Sequence, residues 1–362
     1  MRLGTCIALE LAAAAGIAAG AYLGVERGFA FSRDYFSSHA AAAVTHAPAP
    51  ELARLPSAQL RVDLPALPTT VFDGPDDVLL APIGETPVVI KAKINHGGTS
   101  LSLRLDFASG ARAAFKPEKI HPQSDPRREI AAYRIDRLLG IGHVPPARPI
   151  VVPVDAVLAG IDPEFSAYAT ARVMQEAIAH DGMLRGEASW WIPEIRDALI
   201  GGVAIDTPEG MATWSAYLQP GAAIPDDVRP LVAQIATCIV FDVLIDNADR
   251  WSGNNTKASV DRKTLYFMDN TLSFSLFTLG HAMNLTPLHR ISVFPRSLIQ
   301  RLRGLTRPMV AAALDLGEDA TGLSPLLAPT EIEAIMSRRD HILAYVDELI
   351  AQSGEAAVLA LP

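Results

Sequence analysis

The chain has 362 residues, of which 49% are hydrophobic and 20% are charged, and its formal net charge is −9. This length and apolar content suffice for one two-lobed domain with a buried core. The acidic balance and the lack of any run of Lys and Arg argue against a basic surface, so we expect no nucleic-acid partner. Two cysteines, Cys6 and Cys238, cannot form a disulfide framework, and no Cys/His spacing suggests zinc. Any metal should therefore be oxygen-bound Mg²⁺ or Mn²⁺.

The N-terminus, residues 1–30, is typical of a signal peptide or a membrane anchor. Arg2 precedes an apolar stretch from Cys6 to Val25, and small residues at 19–21 offer a cleavage site. Ala and Gly dominate the stretch and Glu10 interrupts it, so it falls short of about twenty strongly apolar residues; an ordinary buried helix is the alternative. We expect export to the periplasm, the exterior or a membrane-anchored position, rather than a cytoplasmic protein. Residues 31–75, rich in Ala and Pro, should form a linker.

The N-terminal half predicts an antiparallel sheet followed by a helix. Strands are expected over 88–94 and 101–107, and a third, Ala111 to Phe115, should end at Lys116-Pro117. Asp125 and Pro126 predict the start of a helix, and Gly140 predicts its end. The helix should pack on the sheet and direct Glu129 towards Lys116, although for either residue taken alone an ordinary surface charge is the favoured interpretation.

The middle of the chain has the layout of a phosphoryl-transfer site. A predicted buried helix, 231–245, leads to a polar loop with Asp249 and, five positions later, Asn254, and Asp269 follows an apolar strand at 265–268. Kinase chemistry needs one carboxylate to orient the attacking hydroxyl and further oxygen ligands to hold metals. The alternative is a polar hairpin turn, but the buried elements on both sides argue against it.

Several segments also resemble a known family. They are Phe115-Lys116-Pro117, residues 128–139, Val144-Pro145-Pro146, residues 241–250 and Met268-Asp269-Asn270 with Phe274. The chain resembles the secretory-pathway kinases that include Golgi casein kinase, the glycosaminoglycan xylosylkinase and four-jointed. The resemblance extends from about residue 88 to about residue 350, with the segments in the family's order. The family's Cys-rich segments are missing from this chain.

The resemblance implies a bilobal, protein-kinase-like α+β fold, with a small antiparallel-sheet N-lobe carrying one helix and a mainly helical C-lobe. It implies that Lys116 contacts the phosphates of ATP, that Glu129 pairs with Lys116 and approaches the metal, and that Asp249 is the catalytic Asp. Asp269 would bind Mg²⁺ or Mn²⁺. Asn254 stands where protein and lipid kinases place a metal ligand, whereas the secretory kinases do not reliably keep one there.

The sequence therefore predicts an ATP-dependent kinase domain over residues 76–355, with an N-lobe over about 76–178 and a C-lobe over about 179–355. The acceptor would be a hydroxyl of a protein Ser/Thr or of a glycan sugar. The alternatives are a HipA-type or phosphatidylinositol-type kinase, or a pseudokinase that binds nucleotide without transfer. The oligomeric state stays open.

Three smaller expectations follow from local patterns. We expect a strand over 169–178 leading to the hinge between the lobes. Trp190 and Trp191 could line a substrate surface, although burial is the commoner role of adjacent tryptophans. We also expect Lys116 to face solvent, so that its removal would leave the fold intact.

Overall fold

Residues 70–95, 100–121, 124–252 and 255–362 are described by a computed structural model of the chain. All of them fall in one compact unit that spans Val62–Pro362. The predicted leader and all but the last residues of the predicted linker lie outside the described residues. Within the described part of the chain, no helix is long and apolar enough to cross a membrane.

The N-terminal half is built on a six-stranded antiparallel sheet in the order β1-β2-β3-β6-β4, with β5 paired to β6. Its strands are β1 (Val89–Ile94), β2 (Leu103–Phe107), β3 (Arg112–Pro117), β4 (Ala147–Pro153), β5 (Ala179–His180) and β6 (Met183–Trp190). Around it lie the helices α1 (Asp76–Leu80), α2 (Arg127–Leu138), α3 (Val154–Ala159) and α4 (Ser166–Glu176).

The central strands of this sheet have two chemically different faces. Ala113 and Phe115 of β3 are fully buried in the apolar core of the sheet, because side chains alternate between the faces of a strand. Lys116 lies on the opposite face, and its cross-strand partner on β6 is Glu187. Ala114 pairs in the same way with Ser189. We call these four residues, Ala114, Lys116, Glu187 and Ser189, the cleft face of the sheet.

Helix α2 begins close to the predicted position. Its first N–H, from Arg127, donates to Asp125 Oδ1 over 2.9 Å, so Asp125 satisfies one of the free donors at the helix start. We expected its apolar residues to pack on the sheet. The helix does contact the sheet, at β4 and β6, and Ile130, Ala131 and Ile135 are fully buried in a core that the helical half shares with Ala147 of β4.

The predicted strand over 169–178 is wrong, because the segment is the helix α4, Ser166–Glu176. Ala169 and Val173 are its buried residues, and Ala171 between them is exposed, which fits the period of a helix and not the alternation of a strand. On the side away from β2, β3 pairs with β6, which lies beyond residue 178, where we expected the N-lobe to end.

The second half is mainly helical. Its helices are α5 (Pro208–Tyr217), α6 (Arg229–Ile245), α7 (Ala282–Leu288), α8 (Arg296–Gly304), α9 (Arg307–Leu314), α10 (Pro329–Ser353) and α11 (Glu355–Val358). Short strands accompany them, namely β7 (Arg196–Asp197), β8 (Leu199–Ile200), β9 (Val203–Ala204), β10 (Lys257–Ala258) and β11 (Leu265–Tyr266). Strand β11 is shorter than the predicted 265–268. The bilobal α+β architecture expected from the resemblance is confirmed.

One glycine sets the approach of β6 to β3. A Cβ added at Gly186 would clash with the backbone oxygen of Lys116 and would lie 2.7 Å from Pro117 Cα. Backbone atoms of a central strand cannot move aside cheaply, so only glycine fits opposite the end of β3.

We therefore expect Gly186→Ala to lower the free energy of unfolding by about 1–3 kcal/mol, the usual cost of an overpacked interior site. Gly304→Ala is the matched control, because a Cβ there meets nothing within 4 Å. Urea unfolding of both variants measures the difference. Equal stability of the two would contradict the close approach of β3 and β6.

Candidate active site

A cleft of about 550 Å³ lies on the cleft face of the sheet, and Glu129 and Asp269 also line it. Trp190 and Trp191 are neither buried nor fully exposed, and both form part of its wall. They are therefore not fully buried anchors, and a contact with substrate stays a prediction.

Lys116 lies at the centre of this cleft. Its Nζ is 2.6 Å from Glu129 Oε1 and 2.8 Å from Asp269 Oδ1. Burial would lower the pKa of Lys116, but the charges of Asp269, Glu129 and Glu187 raise it above its ordinary value. The ammonium group is therefore charged at any physiological pH.

The expectation that Lys116 faces solvent is wrong, because its side chain is only 14% exposed. Removing it would leave the carboxylate of Glu129, which is 6% exposed, without its cation. An uncompensated buried charge is strongly destabilising. Lys116→Ala therefore cannot be assumed to leave the fold intact.

Asn270 holds Glu129 in place. Its backbone N–H donates to Glu129 Oε1 over 2.8 Å, and its side-chain amide donates to Oε2 over 3.1 Å. The amide also donates to Phe267 O, while Asn270 Oδ1 accepts from Asn247 and Arg250. Every polar group of this fully buried side chain is thus used.

The loop after α6 is fixed to the same network. The helix ends at Asp246, whose φ of 57° is left-handed and turns the chain. Asn247 then donates to the backbone oxygen of Asp269 over 3.0 Å and accepts from the N–H of Asp249 over 3.2 Å. The half-buried Asp249 accepts from Asn255 Nδ2 over 2.7 Å. One asparagine therefore connects the segments that carry Asp249 and Asp269.

A buried ion pair between Arg250 and Asp242 also holds this loop. Arg250 Nε lies 3.3 Å from both carboxylate oxygens of Asp242, and Trp251 Nε1 donates to the same carboxylate over 3.1 Å. Burial raises the pKa of Asp242 to about 6, and the charge of Arg250 opposes the rise. Arg250 also donates to the backbone oxygen of Met268, directly before Asp269.

Asp269 differs from these neighbours because its carboxylate is 50% exposed. The charge of Lys116 holds the pKa of Asp269 below its ordinary range, so the group is ionised at neutral pH. Its φ of 59° places it in the left-handed region, which non-glycine residues adopt at a cost. Such a conformation is often retained where it orients a functional group.

The structure brings Lys116, Glu129 and Asp269 together, and it ties Asp249 to them through Asn247. Asn254 lies outside the described residues. Sequence reasoning missed Glu187 and the connecting roles of Asn247 and Asn270. The alternation of β6 could have placed Glu187 beside Lys116, but that segment was not recognised as a strand.

The residues present fit an oxygen-bound divalent cation. Within the described residues, no three His, Cys, Asp or Glu side chains form a ready-made metal cluster, and the ammonium of Lys116 stands between Glu129 and Asp269. These carboxylates supply the oxygen ligands that Mg²⁺ and Mn²⁺ prefer. The two carboxylates outnumber the single ammonium of Lys116, so the group carries an excess of negative charge that a divalent cation would balance.

A small antiparallel sheet over a helical half, with a Lys–Glu pair and an Asp in the intervening cleft, defines a kinase-like protein. Comparison with known proteins shows which kinases this chain resembles. The family model described as Golgi casein kinase, C-terminal, Fam20, matches residues 225–358. The glycosaminoglycan xylosylkinase of Homo sapiens is 24% identical over 311 residues, which cover 76% of this chain and 75% of that protein.

Two further relatives agree. The extracellular serine/threonine protein kinase FAM20C of Homo sapiens is 21% identical over 316 residues, covering 75% of this chain and 54% of that protein. The crystal structure of the Golgi casein kinase with Mn/ADP bound has a TM-score of 0.58 at 17% identity, and the match covers 78% of each chain. The resemblance to the secretory-pathway kinases is therefore confirmed in sequence and in fold.

We expect Asn270→Ala to lower the free energy of unfolding by about 2–4 kcal/mol, because buried polar groups on α2 and on the loop after α6 would each lose a hydrogen bond. The exposed Gln352→Ala removes an amide of similar chemistry and should change stability by less than about 0.5 kcal/mol. Chemical denaturation of both variants provides the measurement. A stable Asn270→Ala protein would show that the network around Glu129 does not hold the site together.

Proposed function

We propose that this chain transfers the γ-phosphate of ATP, together with Mg²⁺ or Mn²⁺, to a hydroxyl group of a protein or a glycan. The observation that carries the proposal is the grouping of Lys116, Glu129 and Asp269 in the cleft. It is supported by the likeness in fold to a kinase crystallised with Mn/ADP.

In the proposed reaction each residue has a distinct role. Lys116 binds the phosphates of ATP, and Glu129 and Asp269 hold the divalent cation, with Asn254 as a further candidate ligand. The cation, when bound, neutralises charge that develops on the phosphates. Asp249 orients the acceptor hydroxyl and takes its proton. The hydroxyl oxygen bonds to the γ-phosphorus while the bond to the bridging oxygen breaks, and ADP leaves.

Two kinds of acceptor hydroxyl are candidates. One relative is named a xylosylkinase and another a serine/threonine protein kinase, so a sugar and a Ser/Thr hydroxyl are both candidates. A HipA-type or phosphatidylinositol-type kinase is less favoured, because the relatives are of the Fam20 type. A pseudokinase is less favoured because Lys116, Glu129, Asp249 and Asp269 are all present.

We further propose that residues 1–30 direct export or anchor the protein, that 31–75 link this segment to the domain, and that 76–355 form the kinase domain. The secretory relatives support this arrangement, since one is named a Golgi kinase and another an extracellular kinase. Fractionation of cells that express the full chain would test it.

The activity is tested by incubating the purified protein with labelled ATP, Mg²⁺ or Mn²⁺, and either a casein-like protein or glycan acceptors. Label on one acceptor class supports the proposal and identifies the acceptor. Nucleotide binding without label on any acceptor would favour the pseudokinase alternative.

Asp249→Asn keeps the size of the side chain and removes its charge. We expect turnover to fall by orders of magnitude while the affinity for ATP changes by less than about tenfold, because the carboxylate acts mainly in the transition state. Asp226→Asn is the control, since its side chain is fully exposed. A phosphate-transfer assay and calorimetry measure the two quantities. Unchanged turnover would remove Asp249 from the mechanism.

Asp269→Ala should abolish the part of ATP binding that depends on a divalent cation, because the variant lacks the exposed carboxylate proposed to hold that cation. The stabilisation that a ligand gives to the folded state measures this binding. We expect ATP with Mn²⁺ to raise the melting temperature of the wild type and of the exposed-site control Asp77→Ala, but not that of Asp269→Ala. An equal shift in all three proteins would contradict the assignment.

A further inference from the structure

Arg104 is a cation in the cleft to which the proposed function gives no role. It lies on β2, and its cross-strand partner on β3 is Ala114. Paired residues of neighbouring strands point to the same face of a sheet, and both of these line the cleft. Lys116 follows Ala114 by two residues on that face, so Arg104 lies one row, about 7 Å, further along the sheet.

This row lies at the end of the cleft where the base of a bound nucleotide would be. In the proposed function Lys116 binds the phosphates. Strand β6 runs from Glu187, opposite Lys116, past the partner of Ala114 to Trp191, which also lines the cleft. The cleft therefore extends from the charged group at Lys116 to an aromatic end on the row of Arg104.

The guanidinium of Arg104 already contacts an aromatic ring. Its Cζ lies 5.7 Å from the centroid of the Trp191 ring, which is within the range of a cation–π interaction. The side chain is 22% exposed, so part of it stays accessible from the cleft.

The carboxylate that neutralises Arg104 holds it weakly. Arg104 Nη2 donates to Asp106 Oδ2 over 3.4 Å, whereas Arg112 Nε donates to Asp106 Oδ1 over 2.8 Å. Arg104 Nε lies 3.2 Å from the same carboxylate, yet it is buried and makes no hydrogen bond within the described part of the chain. A guanidinium has five N–H donors in one plane. The stronger bond of Asp106 therefore goes to Arg112, and the plane of Arg104 is available to a ligand.

We propose that Arg104 binds the base of the nucleotide. One face of its guanidinium meets Trp191, and adenine stacks on the other, because this planar and weakly hydrated cation stacks well on aromatic rings. The inference rests on the proposed function, which places ATP in the cleft. Arg104 is then a specificity-determining residue, since it adds affinity for the base to the affinity for phosphates that Lys116 and the metal provide.

The test compares ATP with inorganic tripolyphosphate, each in the presence of Mn²⁺, by calorimetry on the full chain. Tripolyphosphate has no base, so the ratio of the two affinities measures what ribose and base contribute. In Arg104→Ala we expect this ratio to fall about tenfold, because a stacking contact with the base is lost. The affinity for tripolyphosphate itself should fall by less than about threefold, since the lost charge lies a row away from the phosphates.

Two further variants separate stacking from charge. Arg104→Lys keeps the charge but lacks the planar group, so it should keep the wild-type affinity for tripolyphosphate and still lose several-fold of the ratio. Arg112→Ala removes the other cation on Asp106, and because that side chain is 45% exposed we expect the wild-type ratio. Melting temperatures verify that each variant is folded. If Arg104→Ala does not fold, Arg104→Lys provides the test.

The outcomes distinguish this inference from the proposed function. A wild-type ratio in the Arg104 variants, with ATP still bound, overturns the role of Arg104 and leaves the kinase proposal standing. Equal losses for both ligands in Arg104→Ala that Arg104→Lys restores would mean that the charge acts on the phosphates alone, and the same fall in Arg112→Ala would reflect net charge; either result overturns the inference. So does a wild type that binds ATP and tripolyphosphate equally tightly. A wild type that binds neither ligand overturns the proposed function, and this inference with it.

Discussion

The bond between Glu129 and Asn270 is the interaction on which the site depends. Two donors of one residue meet both oxygens of the carboxylate, so helix α2 and the segment after β11 are joined by a charge-assisted, two-point contact. This contact fixes the position of Glu129, and Glu129 in turn fixes Lys116. Asp269 is the residue directly before Asn270 in the chain. A single asparagine thus determines the spacing of three charged groups that come from distant parts of the sequence.

The loop that carries Asp249 is held by buried polar groups and not by apolar packing alone. Asp246 accepts hydrogen bonds from the backbone and ring of His281 and from Asn284, and Arg338 donates to the backbone oxygen of Leu244. Removing one member of such a network leaves the others unsatisfied in a low dielectric. These hydrogen bonds therefore hold the chain in place immediately before Asp249.

Much of this architecture could be predicted from local patterns. Helix α6 is a long apolar run, and α2 has a clear Asp-Pro start and a Gly stop, so both were placed within two or three residues. The segment 166–176 was misassigned because the two buried side chains, Ala169 and Val173, give a weak helical signal. Lys116 was expected in solvent because lysine is usually exposed; its burial depends on carboxylates that the fold brings from α2, β6 and the segment after β11. The alternation along β6 would have placed Glu187 beside Lys116, but this segment was not predicted as a strand.

The packing of α2 has a mechanical consequence. Its apolar residues belong to the core of the helical half, which also reaches Ala147 of β4, while Lys116 is carried by β3. If β3 shifts away from α2, Glu129 and Asp269 stay together through Asn270, and the strain falls on the two bonds of Lys116 Nζ. Such a contact closes again readily, because charges attract over a longer range than apolar surfaces do.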